Sequence, residues 1–107
     1  MVADAQGKMK MYAVKVHQVG DETIVACCDA DLLGRRLKDG ELDLHVSERF
    51  YGGDIVDEDE MLKLLVRASS ANILGDRAVA SAASRGIIGS EGIMEVCGVK
   101  HAQLFLL

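Results

Sequence analysis

Proline and tryptophan are missing from this sequence, and aromatic residues are scarce, with two Tyr and two Phe in 107 residues. With no proline, no low-complexity tract and no internal repeat, no linker divides the chain. With so few rings, the core must rest on Val, Ile, Leu, Met and Ala. No apolar run approaches the roughly 18–20 residues that cross a bilayer. Met1 to Lys10 is short and polar and lacks the apolar stretch of a secretory signal, so a cytoplasmic location is expected and no membrane partner. The cysteines do not look like a disulfide framework. Cys27, Cys28 and Cys97 are odd in number, and two are neighbours whose side chains point to opposite faces of a strand, which favours reduced thiols. An excess of positive charge is also absent. The net charge of −5 disfavours direct nucleic-acid binding, because a phosphate-gripping domain shows a basic face. The basic residues form only small clusters, Arg35-Arg36 with Lys38 and Lys8 with Lys10. An acidic surface suits a salty cytosol or a basic protein partner.

What is present is a chain of ordinary domain size, half hydrophobic, and able to hide roughly 60–70% of its unfolded surface. Residues 1–10 read as a loose extension and 11–107 as a single α+β domain. Met11 to Val19 and Glu22 to Cys28 are rich in Val, Ile and Ala and flank Gly20-Asp21. A two-residue loop opening with glycine predicts a β-hairpin with a type II′ turn. That loop sets Val14 opposite Cys27 and Val16 opposite Val25. Tyr12, Val14, Val16, Val25 and Cys27 then share one face, and Lys15, His17, Ile24 and Cys28 share a half-covered second face.

Asp29 to Leu37 reads as a short helical turn capped by Asp29. After the turn signal Asp39-Gly40, Leu42, Leu44 and Val46 alternate with Glu41, Asp43 and His45, the period of a strand. Asp57 followed by Glu60 makes a capping box, and Met61, Leu64, Leu65, Ala68 and Asn72 continue at helical spacing. A second helix fits Asp76 to Arg85, with Asp76 as cap, alanines for close packing, and Gly86 as the left-handed residue that ends it. Ile93 to Cys97, a turn at Gly98 to Lys100, and His101 to Leu107 form a last hairpin. The expected fold is therefore α+β: a mostly antiparallel sheet of about five strands, two hairpins plus a central strand, with two main helices on one face.

Four segments resemble a small archaeal family known only as domain of unknown function 424. They are Cys28-Asp29 leading to Leu32-Leu33-Gly34, Phe50-Tyr51-Gly52-Gly53, Ala71-Asn72 to Gly75, and Gly98-Val99 to His101-Ala102-Gln103-Leu104. The resemblance covers Met11 to Leu107, with the segments in the same order at similar separations. It departs at Lys100, where a proline is expected before the His-Ala-Gln unit. It implies an archaeal cytosolic protein and carries over no reaction, cofactor, partner or catalytic residue.

The polar residues of those segments are the candidate binding residues: Tyr51, Gly52, Gly53, Asn72, His101 and Gln103. His101 switches protonation near neutral pH, and Gln103, on the same strand face, both donates and accepts. Paired glycines allow close backbone approach to a phosphate or another chain, and Tyr51 can stack or donate. The bland readings stand beside these: a polar strand end, a tight turn, and an asparagine satisfying backbone between two helices. The glycines lack the Gly-Lys-Ser/Thr ending of a phosphate loop. Cys28, His45, Cys97 and His101 are zinc-ligand types without ligand spacing, so no metal and no cofactor are expected. Cys28 with His17 or His101 would be a thiolate pair, and Ser69, Ser70 and Ser90 lack a nucleophile-elbow setting. With no catalytic signature, the balance falls against an enzyme. The favoured function is a cytosolic interaction module for a protein or ribonucleoprotein partner, or for its own copies as a homo-oligomer. The alternative is a small enzyme or small-molecule binder built on Tyr51, Asn72, His101 and Gln103.

Overall fold

The computed structural model describes residues 11–105, and within them the first strand opens at Tyr12. The expected ten-residue extension falls outside them. Strands β1 (Tyr12–Val19) and β2 (Glu22–Asp29) form the first hairpin, with Val14 opposite Cys27 and Val16 opposite Val25. Gly20 has φ +60, and Cys97 is the non-glycine with positive φ among the described residues, so the backbone matches a type II′ turn.

The remaining elements are β3 (Arg36–Asp39), β4 (Leu42–His45), α1 (Glu48–Tyr51), β5 (Asp54–Val56), α2 (Glu58–Leu65), β6 (Ser70–Leu74), α3 (Asp76–Ser84), β7 (Ile93–Val96) and β8 (Val99–Phe105). Six strands make the main sheet in the order β5-β1-β2-β6-β8-β7, and β3 pairs with β4 in a separate two-stranded sheet. Every neighbour in the main sheet is antiparallel except β2 and β6. Among the described residues no helix is long and apolar enough to cross a membrane.

The main sheet has six strands rather than about five, a second two-stranded sheet stands apart from it, and the largest difference is at the centre. Leu42 to Val46 does not supply the central strand; Leu42–His45 pairs with Arg36–Asp39 instead. The central strand is Ser70–Leu74, whose Asn72 was expected on a helix. Helix α2 stops at Leu65, and the run from Ala71 to Leu74 is buried from both sides. A short apolar run reads equally as buried strand or buried helix, so its spacing alone misleads. Asp29 to Leu37 is also not one helical turn. A single 3-10 turn spans Ala30–Leu32, and Gly34 at φ +84 turns the chain into β3. In the last hairpin the turn is Cys97-Gly98, both at positive φ, and Lys100 lies inside β8 opposite Glu95.

Face one of the sheet is closed by α2 and α3. Tyr12, Val14, Val25, Cys27 and Ile73 meet Met61, Leu65, Val79 and Ala82 in one apolar cluster. Asp57 caps α2 by accepting from the Glu60 N–H at 2.9 Å. Asp76 does not cap α3. Its carboxylate accepts from the Lys100 N–H, and Gly75 takes the capping position. The cap side chain comes from β2: the buried Asp29 carboxylate accepts from the N–H groups of Arg77 (3.2 Å) and Ala78 (2.8 Å). Burial raises the Asp29 pKa, while those two N–H groups and the Arg77 charge pull against it. Gly75 makes the approach possible, since a Cβ there would lie 2.4 Å from the Asp29 carboxyl carbon and its φ is +117. Gly86, at φ +72, follows the end of α3.

Face two carries a smaller cover. Ala13, Ala26, Cys28 and Leu74 pack against Leu32, Val46 and Tyr51 from the 3-10 turn, the segment after β4, and α1.

Candidate functional site

The short helix α1 is too small to hold itself in place and is pinned to β1 by polar bonds. Ser47 caps it, accepting from the Arg49 and Phe50 N–H groups. From β1, Lys15 Nζ donates to the Arg49 carbonyl and His17 Nε2 donates to the Phe50 carbonyl, both at 2.8 Å. The Phe50 ring stacks on His17 at 5.1 Å and meets the Tyr51 ring edge-on at 4.8 Å. These contacts turn Tyr51 inward while Phe50 stays at the surface.

Gly52 and Gly53 bring backbone close to the chain itself. A Cβ at Gly52 would lie 2.5 Å from the Glu48 carbonyl oxygen, and one at Gly53 would lie 2.4 Å from that of Val14. Their close approach lets the chain leave α1 and enter β5 alongside β1.

Inside, three of the candidate side chains converge. The Tyr51 hydroxyl donates to Asn72 Oδ1 at 2.5 Å, and His101 Nε2 donates to the same oxygen at 3.2 Å. Asn72 sits on β6 and His101 on β8, so the cluster spans helix α1 and two neighbouring strands. The three line a cavity of about 190 Å³ whose other walls are Leu44, Leu74 and Val96. Leu44 comes from the β3–β4 hairpin, and Val96 from β7. Gln103 pairs with Asn72 across β6 and β8 and so lies on the same face, but it is exposed and does not line the cavity.

The wall is electrically quiet. Burial raises the Tyr51 pKa further above its ordinary value, and the neighbouring Cys28 and Cys27 add to this. Burial lowers the His101 pKa, favouring neutral imidazole. Cys28 is no thiolate: burial first, then the Asp29 charge, push its pKa up to about 12. Leu74 stands between Cys28 and His101 in the strand register, so these two do not form a pair. Among the described residues no three His, Cys, Asp or Glu side chains group as metal ligands would.

The apolar walls were not legible as site residues, because Leu44, Leu74 and Val96 carry no chemical signature. A second cavity, about 490 Å³, was also missed. It opens on face one beside α2 and α3 and is lined by Tyr12, Glu58, Arg77, Ala80, Ser81 and Ser84. There Ser81 donates to Glu58, and Arg77 bridges to Asp31 at 3.1 Å. Glu58 and Ser81 look like ordinary helix-surface residues, and nothing in their spacing marks a cavity.

Fold and site together define a small α+β protein with a neutral, polar-walled pocket under a β-hairpin. The chain belongs to the family described as "Protein of unknown function (DUF424)", whose model matches residues 17–107. It is similar to a solved structure, an uncharacterized conserved protein from Methanopyrus kandleri. The two are 32% identical with a TM-score of 0.80, over 91% of this chain and 92% of that one. No curated protein matches the chain.

Proposed function

We propose that this protein binds a small molecule in the cavity beneath the β3–β4 hairpin, with Tyr51, Asn72 and His101 as its polar wall. One observation carries the reading. Three polar side chains, 21 and 29 residues apart in sequence, meet at one oxygen beside an open cavity. A concave apolar site with a few convergent polar groups is the usual form of a ligand pocket. The wall offers recognition rather than a nucleophile, because Tyr51 stays protonated and Cys28 is buried. A thermal-shift screen of the intact chain against small metabolites tests this. Compounds that raise Tm in the parent and lose the effect in Leu44→Trp, which fills the cavity from the hairpin side, are expected. Hits that bind both proteins equally would place the site elsewhere.

The interaction-module reading has separate support. Met94 pairs with His101 and Phe105 with Ser70, so both lie on face two beside Gln103, and they are 63% and 68% exposed. Apolar side chains of this size on an uncovered strand face are a place for a protein partner to dock. Native mass spectrometry from a cytosolic extract at low and high salt checks it: a stoichiometric protein that survives high salt supports apolar docking, and a lone chain removes the reading.

A further inference from the structure

The hydrogen-bond inventory of the pocket specifies its ligand more closely than its shape does. Asn72 Oδ1 is a carbonyl oxygen and only accepts, so both of its partners must donate. The Tyr51 hydroxyl proton is used in that bond, which leaves the phenolic oxygen with lone pairs. His101 also spends a proton, and it is on Nε2. A neutral imidazole has one ring proton, so Nδ1 is a bare acceptor. The Asn72 amide nitrogen has two N–H donors and no partner among the described residues. The inventory is therefore two free donors and two kinds of free acceptor, with no formal charge.

An ion seated against this wall would give up part of its water and find no counter-charge, since Leu44, Leu74 and Val96 complete the lining. A hydrocarbon would leave the Asn72 N–H groups unpaired. The volume is close to the about 150 Å³ cavity that accommodates a benzene ring. We infer that the pocket takes a neutral, single-ring compound carrying an amide edge, a lactam or ring carboxamide, its carbonyl accepting from Asn72 and its N–H donating to Tyr51 or His101. The inference rests on the pocket reading above and narrows it to one chemical class. The aliphatic walls hold the ring, and the polar wall reads the amide.

The experiment is an NMR titration of the ¹⁵N-labelled intact chain with uracil, nicotinamide and benzamide. Benzoate, toluene and N,N-dimethylbenzamide serve as matched probes. Shifts at Tyr51, Asn72 and His101 are expected with the amides. Benzoate, toluene and the dimethylated amide should bind at least about tenfold more weakly, because each leaves a buried partner unmatched or brings an unpaired charge. Asn72→Asp, which turns the donor nitrogen into an acceptor, should reduce amide binding by a similar factor. If that variant does not fold, the ligand series alone decides. Toluene or benzoate binding as well as benzamide, and blocked by Leu44→Trp, would overturn the amide class while leaving the pocket standing. Amide binding that Leu44→Trp does not block would overturn both. Absence of any shift would overturn the amide class, and the metabolite screen would then judge the pocket alone.

Discussion

The two faces of the sheet are built by different means. Face one is closed by α2 and α3, which press Met61, Leu65, Val79 and Ala82 onto apolar strand residues at or near zero exposure. Face two is closed by a four-residue helix, a 3-10 turn and a hairpin; Leu32, Val46 and Tyr51 pack on the strands, and Lys15 and His17 of β1 bond the helix carbonyls. Two amphipathic helices match their apolar stripes to a pleated surface and close the centre of face one, so that its cavity lies only at their polar margin, beside Glu58, Arg77 and Ser81. A cover of short pieces cannot fill every gap, and on face two the gap is lined by Asn72, Tyr51 and His101. The face that stabilises and the face that can recognise are thus separated by one sheet, and residues adjacent on β6 serve opposite ends.

Neighbouring substitutions on β6 put this contrast to its hardest test. Ile73→Ala removes a fully buried side chain from face one and should cost about 2–5 kcal/mol in denaturant unfolding. Asn72→Leu, one residue away on face two, should cost less, about 1–3 kcal/mol, because the buried Tyr51 hydroxyl and His101 lose their shared acceptor while the site keeps its volume. Equal costs would mean that the polar cluster, and not the helix layer, holds the sheet. Ala82→Leu sharpens the comparison from the other side. Ala82 has no exposure, so the larger side chain should overfill the helix contact at about 1–3 kcal/mol while ligand-induced shifts at His101 stay unchanged.

The smallest effect is in pH. His101 is depressed by burial below its ordinary 6.5, so the unfolded chain takes up the proton first. Its contribution to stability is complete above 6.5 and is lost as pH falls from there towards the lower folded value. His101→Phe should flatten that part of a Tm-against-pH curve. Imidazole ¹⁵N shifts should show the proton on Nε2 at neutral pH; a proton on Nδ1 would break the hydrogen-bond assignment of the wall.

Much of face one was legible. The Gly20-Asp21 loop set the register of β1 and β2, because a two-residue loop leaves one pairing. Asp57 announced α2, and Gly86 marked the end of α3. Where the sequence misled, the partner was distant. The α3 cap is Asp29, 48 residues before Arg77 along the chain, and no local motif encodes such a reach. Leu42–His45 reads as a sheet strand by alternation, yet nothing in alternation says which sheet.

The candidate site divides the same way. Tyr51, Asn72, His101 and Gln103 stood out by residue type, and Asn72 was expected at a helix junction when it lies at the middle of β6. Chain composition, turn chemistry and period determined the fold class, the first hairpin and the helix boundaries at Asp57 and Gly86, since these depend on residues a few positions apart. Only the tertiary structure decided that Ser70–Leu74 is the central strand, that Asp29 caps α3, and that three polar side chains share one oxygen while Gln103 stays outside. Strand order and side-chain convergence depend on which distant segments exclude water together, and local pattern does not carry that information.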